Sequence, residues 1–181
     1  MTADAASRRP PSARVRAAMV RVDQAGEYGA KRIYAGQLAV LGTGGPGARS
    51  IAHMAQQEQR HLDWFDDALA RRRVRPTMLQ PFWHVAGFAL GAVTAAMGPR
   101  AAMACTAAVE TEIDRHYSQQ LAQLGDSDPE LSAAITDFQA EEAEHRATAL
   151  AAGAEQTPGY PLLSAAIRAG CRAAIALATR I

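Results

Sequence analysis

At 181 residues the chain is long enough to bury one sizeable core and short for two ordinary domains. A formal net charge of +1 lacks the basic excess of a nucleic-acid binder, so no nucleic-acid partner is expected. Ala and Arg are the commonest residues and long runs of Val, Ile and Thr are absent, which makes the fold class all-α.

Residues 1–11 are small and polar, end in Pro10-Pro11, and read as a disordered arm ahead of a single domain over residues 12–181. Arg8, Arg9, Arg14 and Arg16 resemble a transit peptide only faintly, because the arm is short and carries Asp4. It has no apolar h-region, so a secretory signal is not expected. Ser12 suits the cap of a first helix running to about Leu41, which Gly42-Thr43-Gly44-Gly45-Pro46-Gly47 then breaks. A second helix is predicted from about Ala48 to Arg73, ended by Arg75-Pro76. Arg71, Arg72, Arg73 and Arg75 suit a helix C-terminus, with contact to anionic lipid as their second use.

From Pro76 to Pro99 there is no formal charge, and Phe82-Trp83-His84-Val85-Ala86-Gly87-Phe88-Ala89-Leu90 is strongly apolar. Length alone allows a membrane span. Pro81, Gly87, Gly91 and Gly98 argue instead for an element lying on or dipping into a bilayer, with Phe82, Trp83, Phe88 and Leu90 as its anchors. An ordinary buried helix is the alternative. The segment falls where a ferritin-like four-helix bundle makes its long crossover.

A third bundle helix is predicted from about Arg100 to Leu124, ended at Gly125. Asp126-Ser127-Asp128-Pro129 turns the chain and caps a fourth, from about Pro129 to Ala152. Gly153 through Pro161 is a loop. Leu162 to Ile181 reads as an amphipathic helix that packs on the bundle, on a membrane or on a second subunit of a homo-oligomer. Cys105 and Cys171 form no CxxC and read as packing residues in a reducing compartment.

The chemistry lies in a motif that occurs twice. Glu58 and His61, and again Glu142 and His145, form Glu-x-x-His, a carboxylate and an imidazole one helical turn apart. One copy alone is weak, since a solvated pair on a helix surface looks the same. Here both copies sit inside apolar stripes: Ile51, Met54 and Phe65 around the first, Leu131, Ile135, Phe138 and Ala149 around the second. A carboxylate in a buried stripe is costly unless a positive charge meets it.

A two-metal bundle needs two such motifs and a lone Glu from each of two other helices. Glu27 stands 31 residues before Glu58, and Glu110 stands 32 before Glu142. Glu27 shares a face with Ala30, Tyr34, Leu38 and Leu41, and Glu110 with Ile113, Tyr117 and Leu124. Glu112 is turned roughly 200° from Glu110 at 3.6 residues per turn, so Glu112→Gln is expected to be nearly silent. Four carboxylates and two imidazoles form a hard O/N set suited to iron or manganese.

Several strings are more specific. Val22-Asp23-Gln24-Ala25-Gly26-Glu27-Tyr28-Gly29-Ala30, Arg32-Ile33-Tyr34-Ala35-Gly36-Gln37, Arg73-Val74-Arg75-Pro76-Thr77 and Ala102-Met103-Ala104-Cys105-Thr106 resemble the demethoxyubiquinone hydroxylases of ubiquinone biosynthesis. So do His116-Tyr117 and Ala169-Gly170-Cys171, and the similarity runs from about residue 14 to the C-terminus. The resemblance implies two iron ions held by Glu27, Glu58, His61, Glu110, Glu142 and His145. It implies hydroxylation of a polyprenylated benzoquinone with O2 as co-substrate and two electrons, from NADH or a reductase. It also implies peripheral attachment to a membrane surface and, in some organisms, a lipid-binding partner protein. His116 and Tyr117 match a pair associated with electron delivery and are candidate catalytic residues. They are also candidate outer-shell partners of the ligating histidines, with a core tyrosine as the alternative for Tyr117.

Mitochondrial members carry a longer N-terminal extension, so a bacterial protein on the cytoplasmic face of the inner membrane is expected. Two rival readings are a ferroxidase or iron-storage bundle and a non-enzymatic helical membrane adaptor with Glu–His salt bridges.

Overall fold

The computed structural model describes residues 10–181, the side chain of Pro46 excepted, so most of the expected N-terminal arm lies outside the described residues. Those residues form six α-helices and no strand: α1 (Ala13–Leu41), α2 (Pro46–Arg72), α3 (Gln80–Ala96), α4 (Pro99–Leu124), α5 (Pro129–Ala151) and α6 (Tyr160–Ala178). The boundaries have local causes. Ser12 accepts the Val15 N–H at 3.3 Å, and Gly42 ends α1 at φ 70°. Helix α2 starts two residues earlier than expected, because a proline at the first helical position gives up an N–H that has no partner anyway. Asp128 caps α5 through the Leu131 N–H at 3.2 Å and also accepts Arg72 of α2 at 3.0 Å. Arg71 reaches Glu130 at 2.8 Å, so these two arginines join the end of α2 to the start of α5.

Helices α1, α2, α4 and α5 form the bundle, with α3 as the crossover between α2 and α4. One core cluster gathers Met19, Phe65, Tyr117, Leu131 and Phe138, and another gathers Tyr34, Ile51, Met54 and Met103. Tyr117 from the first and Tyr34 from the second reach toward the same buried site.

Helix α3 lies along α1 with their backbones touching. A Cβ on Gly91 would stand 1.9 Å from the Ile33 carbonyl oxygen, and one on Gly36 would stand 2.1 Å from that of Phe88. Only glycine fits such an approach. Gly91 is therefore explained by contact between two helices, and the sequence expectation that read it as a membrane feature is corrected. The anchor set also changes. Phe82 faces outward, but Trp83 and Leu90 pack inward and Phe88 lies under the Arg32 guanidinium at 5.1 Å. The exposed apolar face of this region is Met78, Phe82, Val85, Val93 and Met97.

Among the described residues, α6 is the one helix long and apolar enough to cross a membrane by length and composition. In the fold it packs on α4 and α1. Glu112 holds it there. Its fully buried carboxylate accepts Arg168 at 2.7 Å and Arg172 at 2.9 Å, and forms an ion pair with Arg115 at 2.6 Å. Glu112 does point away from the Glu110 stripe, but into an ion-pair hub, a setting in which a substitution affects packing of α6 rather than the metal cluster. Cys105 and Cys171 are free and share one apolar cluster, as packing residues do.

Candidate metal centre

Each bundle helix contributes at one level: Glu27 from α1, Glu58 and His61 from α2, Glu110 from α4, Glu142 and His145 from α5. All six side chains are at most 2% exposed. They form two groups of four, Glu27, Glu58, His61 and Glu142, and Glu58, Glu110, Glu142 and His145. Within each group one ligand atom per residue lies within 4.8 Å of the others. Glu58 and Glu142 belong to both groups. The carboxylates of the two Glu-x-x-His motifs are thus common to both groups, while Glu27 and Glu110 belong to one each.

The donor set fits two cations. Glu27 Oε2, both Glu58 oxygens, Glu110 Oε2, Glu142 Oε1 and His61 Nδ1 are buried without a hydrogen-bond partner. Unpaired carboxylates at such depth are strongly unfavourable, and four of them balance two divalent ions with both imidazoles neutral. Burial, followed by the charge of Glu142, pushes Glu58 and Glu110 well above the ordinary carboxylate range. Burial alone would lower His61, but the carboxylates of Glu142 and Glu27, 3.2 and 3.3 Å from Nδ1, outweigh it and raise the imidazole to about 10. Burial would likewise raise Glu142, yet the hydrogen bond from His145 and the adjacent His61 imidazole hold it at about 2. The cluster draws positive charge, and protonated histidine meets only part of that demand.

The surrounding contacts cross between the two halves of the repeat. Tyr34 follows Glu27 by seven residues and donates its hydroxyl to Glu110 Oε1 at 2.8 Å. Tyr117 follows Glu110 by seven and donates to Glu27. Burial, then the charge of the partner glutamate, raises both phenols well above their ordinary value, so both remain donors. The expected outer-shell roles of Tyr117 and His116 toward the ligating histidines are not what the structure shows. Tyr117 serves a carboxylate, and His116 Nε2 lies 3.1 Å from Asp23 and 2.8 Å from Gln120. The partners of the histidines are Glu141, whose Oε2 is 2.9 Å from His61 Nε2, and Gln57, whose Oε1 is 3.1 Å from His145 Nε2. Sequence reasoning passed over both. The available signal was position, since each immediately precedes a ligand glutamate and stands four residues before the other motif residue on its helix.

Beside the cluster lies an apolar cavity of about 500 Å³ between α1, α3, α4 and α6. Ala30, Trp83, Val109, Ile113 and Ile167 line it, and no charged residue does. Ala30 follows Glu27 by one turn, and Val109 adjoins Glu110.

A family model described as "Ubiquinone biosynthesis protein COQ7" matches residues 14–178. The chain belongs to the COQ7 family. Among its relatives, a Rhodospirillum rubrum protein named "3-demethoxyubiquinol 3-hydroxylase" is 54% identical over 162 residues, covering 90% of this chain and 76% of that protein. A Homo sapiens relative, "NADPH-dependent 3-demethoxyubiquinone 3-hydroxylase, mitochondrial", is 50% identical over 167 residues, with coverage of 90% and 76%. A Saccharomyces cerevisiae relative, "5-demethoxyubiquinone hydroxylase, mitochondrial", is 40% identical over 179 residues, with coverage of 90% and 77%. The COQ7-family match reaches all six helices and includes all six residues of the buried cluster.

Proposed function

We propose that the protein is a di-iron monooxygenase that hydroxylates the ring of a polyprenylated demethoxyubiquinone or demethoxyubiquinol. The observation that carries this reading is the pair of four-residue groups sharing Glu58 and Glu142, set against an apolar cavity. The names of the relatives point to the same reaction. Two irons held by the six residues would supply the electrons that let O2 react with a closed-shell ring. Glu27 and His61 would hold one iron and Glu110 and His145 the other, with Glu58 and Glu142 available to both.

The chain's own groups do the rest. The cavity walls exclude water, and a quinone seated there lies against α1 and α4, the helices that carry Glu27 and Glu110. Tyr34 and Tyr117 fix the terminal carboxylates by hydrogen bonds. Next to Tyr117 in the chain, His116, which contacts the buried Asp23, borders a second, more polar groove with Arg14 and Gln119, a suitable approach for an electron donor. The donor class is a reduced nicotinamide, NADPH or NADH, or a reductase. A polyprenylated quinone resides in membrane, so a membrane surface is the expected partner. The exposed face of α3 and the adjoining α6 are the elements that meet it, on the cytoplasmic side of a bacterial inner membrane. The ferroxidase reading fits less well, because no charged residue lines the larger cavity to pass iron ions. Quinone profiling tests the proposal. A strain lacking the protein should accumulate the demethoxy intermediate, and normal ubiquinone in that strain would reject it.

A further inference from the structure

The two ligating imidazoles differ in what stands behind them. His61 directs Nε2 to a carboxylate, Glu141 Oε2, at 2.9 Å, whereas His145 directs Nε2 to an amide oxygen, Gln57 Oε1, at 3.1 Å. Both partner atoms are acceptors, so with metal bound each ring would keep its proton on Nε2 and offer Nδ1 to the cluster. Indeed, His61 Nδ1 lies 3.2 Å from Glu142, and His145 Nδ1 lies 3.4 Å from Glu58. Glu141 and Gln57 hold equivalent places in the repeat. Each immediately precedes a ligand glutamate, and each serves the histidine of the opposite motif. Directly behind the two imidazoles the near-twofold arrangement is therefore broken, with a carboxylate on one side and a neutral amide on the other.

We propose that this difference makes the two metal positions unequal, the position of Glu27 and His61 binding its metal more tightly than that of Glu110 and His145. A carboxylate accepting an imidazole N–H draws the proton toward itself and enriches the opposite nitrogen in electron density. That strengthens its bond to a cation, and a neutral amide does so less. Arg60 also pairs with Glu141, but it is half exposed and its charge is spread into solvent and onto Asp137 at 3.0 Å. Neither Glu141 nor Gln57 belongs to either ligand group. Both are positioning residues, and the inference rests on the metal-centre reading above.

The test is anaerobic titration of the whole metal-free chain with Co²⁺, a redox-stable stand-in for ferrous iron, followed by its d–d absorption and by equilibrium dialysis. The wild type should take up two ions in two steps. Shared carboxylates alone can separate two steps, so the variants carry the decision. Glu141→Gln should weaken the tight step by on the order of tenfold and leave the weak one in place. Gln57→Glu should strengthen the weak step by a similar factor. His145→Ala should keep the tight step, and His61→Ala should lose it. The proposal fails if Glu141→Gln folds, by circular dichroism, and changes neither step or only the weak one. If Glu141→Gln does not fold, Gln57→Glu decides alone, and an unchanged weak step overturns the idea. A wild type that binds no Co²⁺ removes the metal centre itself, a result distinct from two equal sites.

Discussion

Glu112 and Arg168 join the last helix to the bundle: the Arg168 Nε–H donates to Glu112 Oε1 at 2.7 Å, on a carboxylate fully removed from solvent. Arg172 donates to the same oxygen at 2.9 Å. Helix α6 forms one wall of the apolar cavity through Leu163, Ile167 and Ile175, so this ion-pair hub controls how that wall sits.

Glu112→Gln should lower stability by about 2 kcal/mol, the scale for hydrogen bonds to a charged group when its partners are half exposed. For a chain of this size that corresponds to a melting temperature lower by about 4–8 °C. Hydrogen exchange in α6 should rise, and affinity for a long-chain quinone should fall, while metal content stays unchanged. The pH dependence has a definite sign. Burial alone would raise the Glu112 carboxyl, but Arg168, Arg115 and Arg172 hold it below its ordinary value. Its contribution is complete above the ordinary carboxylate range and disappears as pH falls through the depressed value. The stability gap between wild type and variant should therefore be flat at neutral pH and close on acidification. A gap that widens in acid would refute the hub.

Shared and terminal ligands should behave differently. Glu58→Ala or Glu142→Ala removes a residue from both four-residue groups and should abolish binding of both metals. Glu27→Ala or Glu110→Ala removes one residue from one group, and should leave about one metal per chain. Elemental analysis of the purified variants separates the two classes. Equal losses from all four would contradict the assignment of Glu58 and Glu142 to both groups.

The tyrosines should tune the site without being essential to it. Tyr117→Phe and Tyr34→Phe delete the hydroxyls bonded to Glu27 and Glu110. Each should reduce activity or metal affinity by about tenfold, the lower end of the range for outer-shell groups. Wild-type turnover in both variants would leave the two phenols as core filling.

Membrane attachment should follow the exposed face of α3. Phe82, Val85 and Val93 are each at least 60% exposed. Replacing all three by Ser should reduce co-sedimentation with liposomes and leave helicity intact, because none of them fills the core. Substituting the inward-facing Leu90 should instead destabilise the fold. Unchanged liposome binding in the triple variant would move the contact to another surface.

Much of this site was legible before any coordinates, for a physical reason. A helix converts sequence spacing directly into a face, so Glu-x-x-His in an apolar stripe means a buried carboxylate and imidazole side by side. Repetition after 83 or 84 residues placed Glu27, Glu58, His61, Glu110, Glu142 and His145 in one set, and the Gly and Pro punctuation separated their helices. Spacing along one helix says nothing about what a neighbouring helix presents. That Glu58 and Glu142 are the shared carboxylates, that Tyr34 serves Glu110 and Tyr117 serves Glu27, and that Glu141 and Gln57 stand behind the histidines are all relations between helices far apart in sequence. They depend on how each helix is rotated and how high it sits against its neighbour. The same holds for Glu112, whose face the sequence marked as turned away from the site while leaving open what it turned toward. Packing α6 onto α4 brought Arg168 and Arg172 to that face, where they meet the buried Glu112 carboxylate.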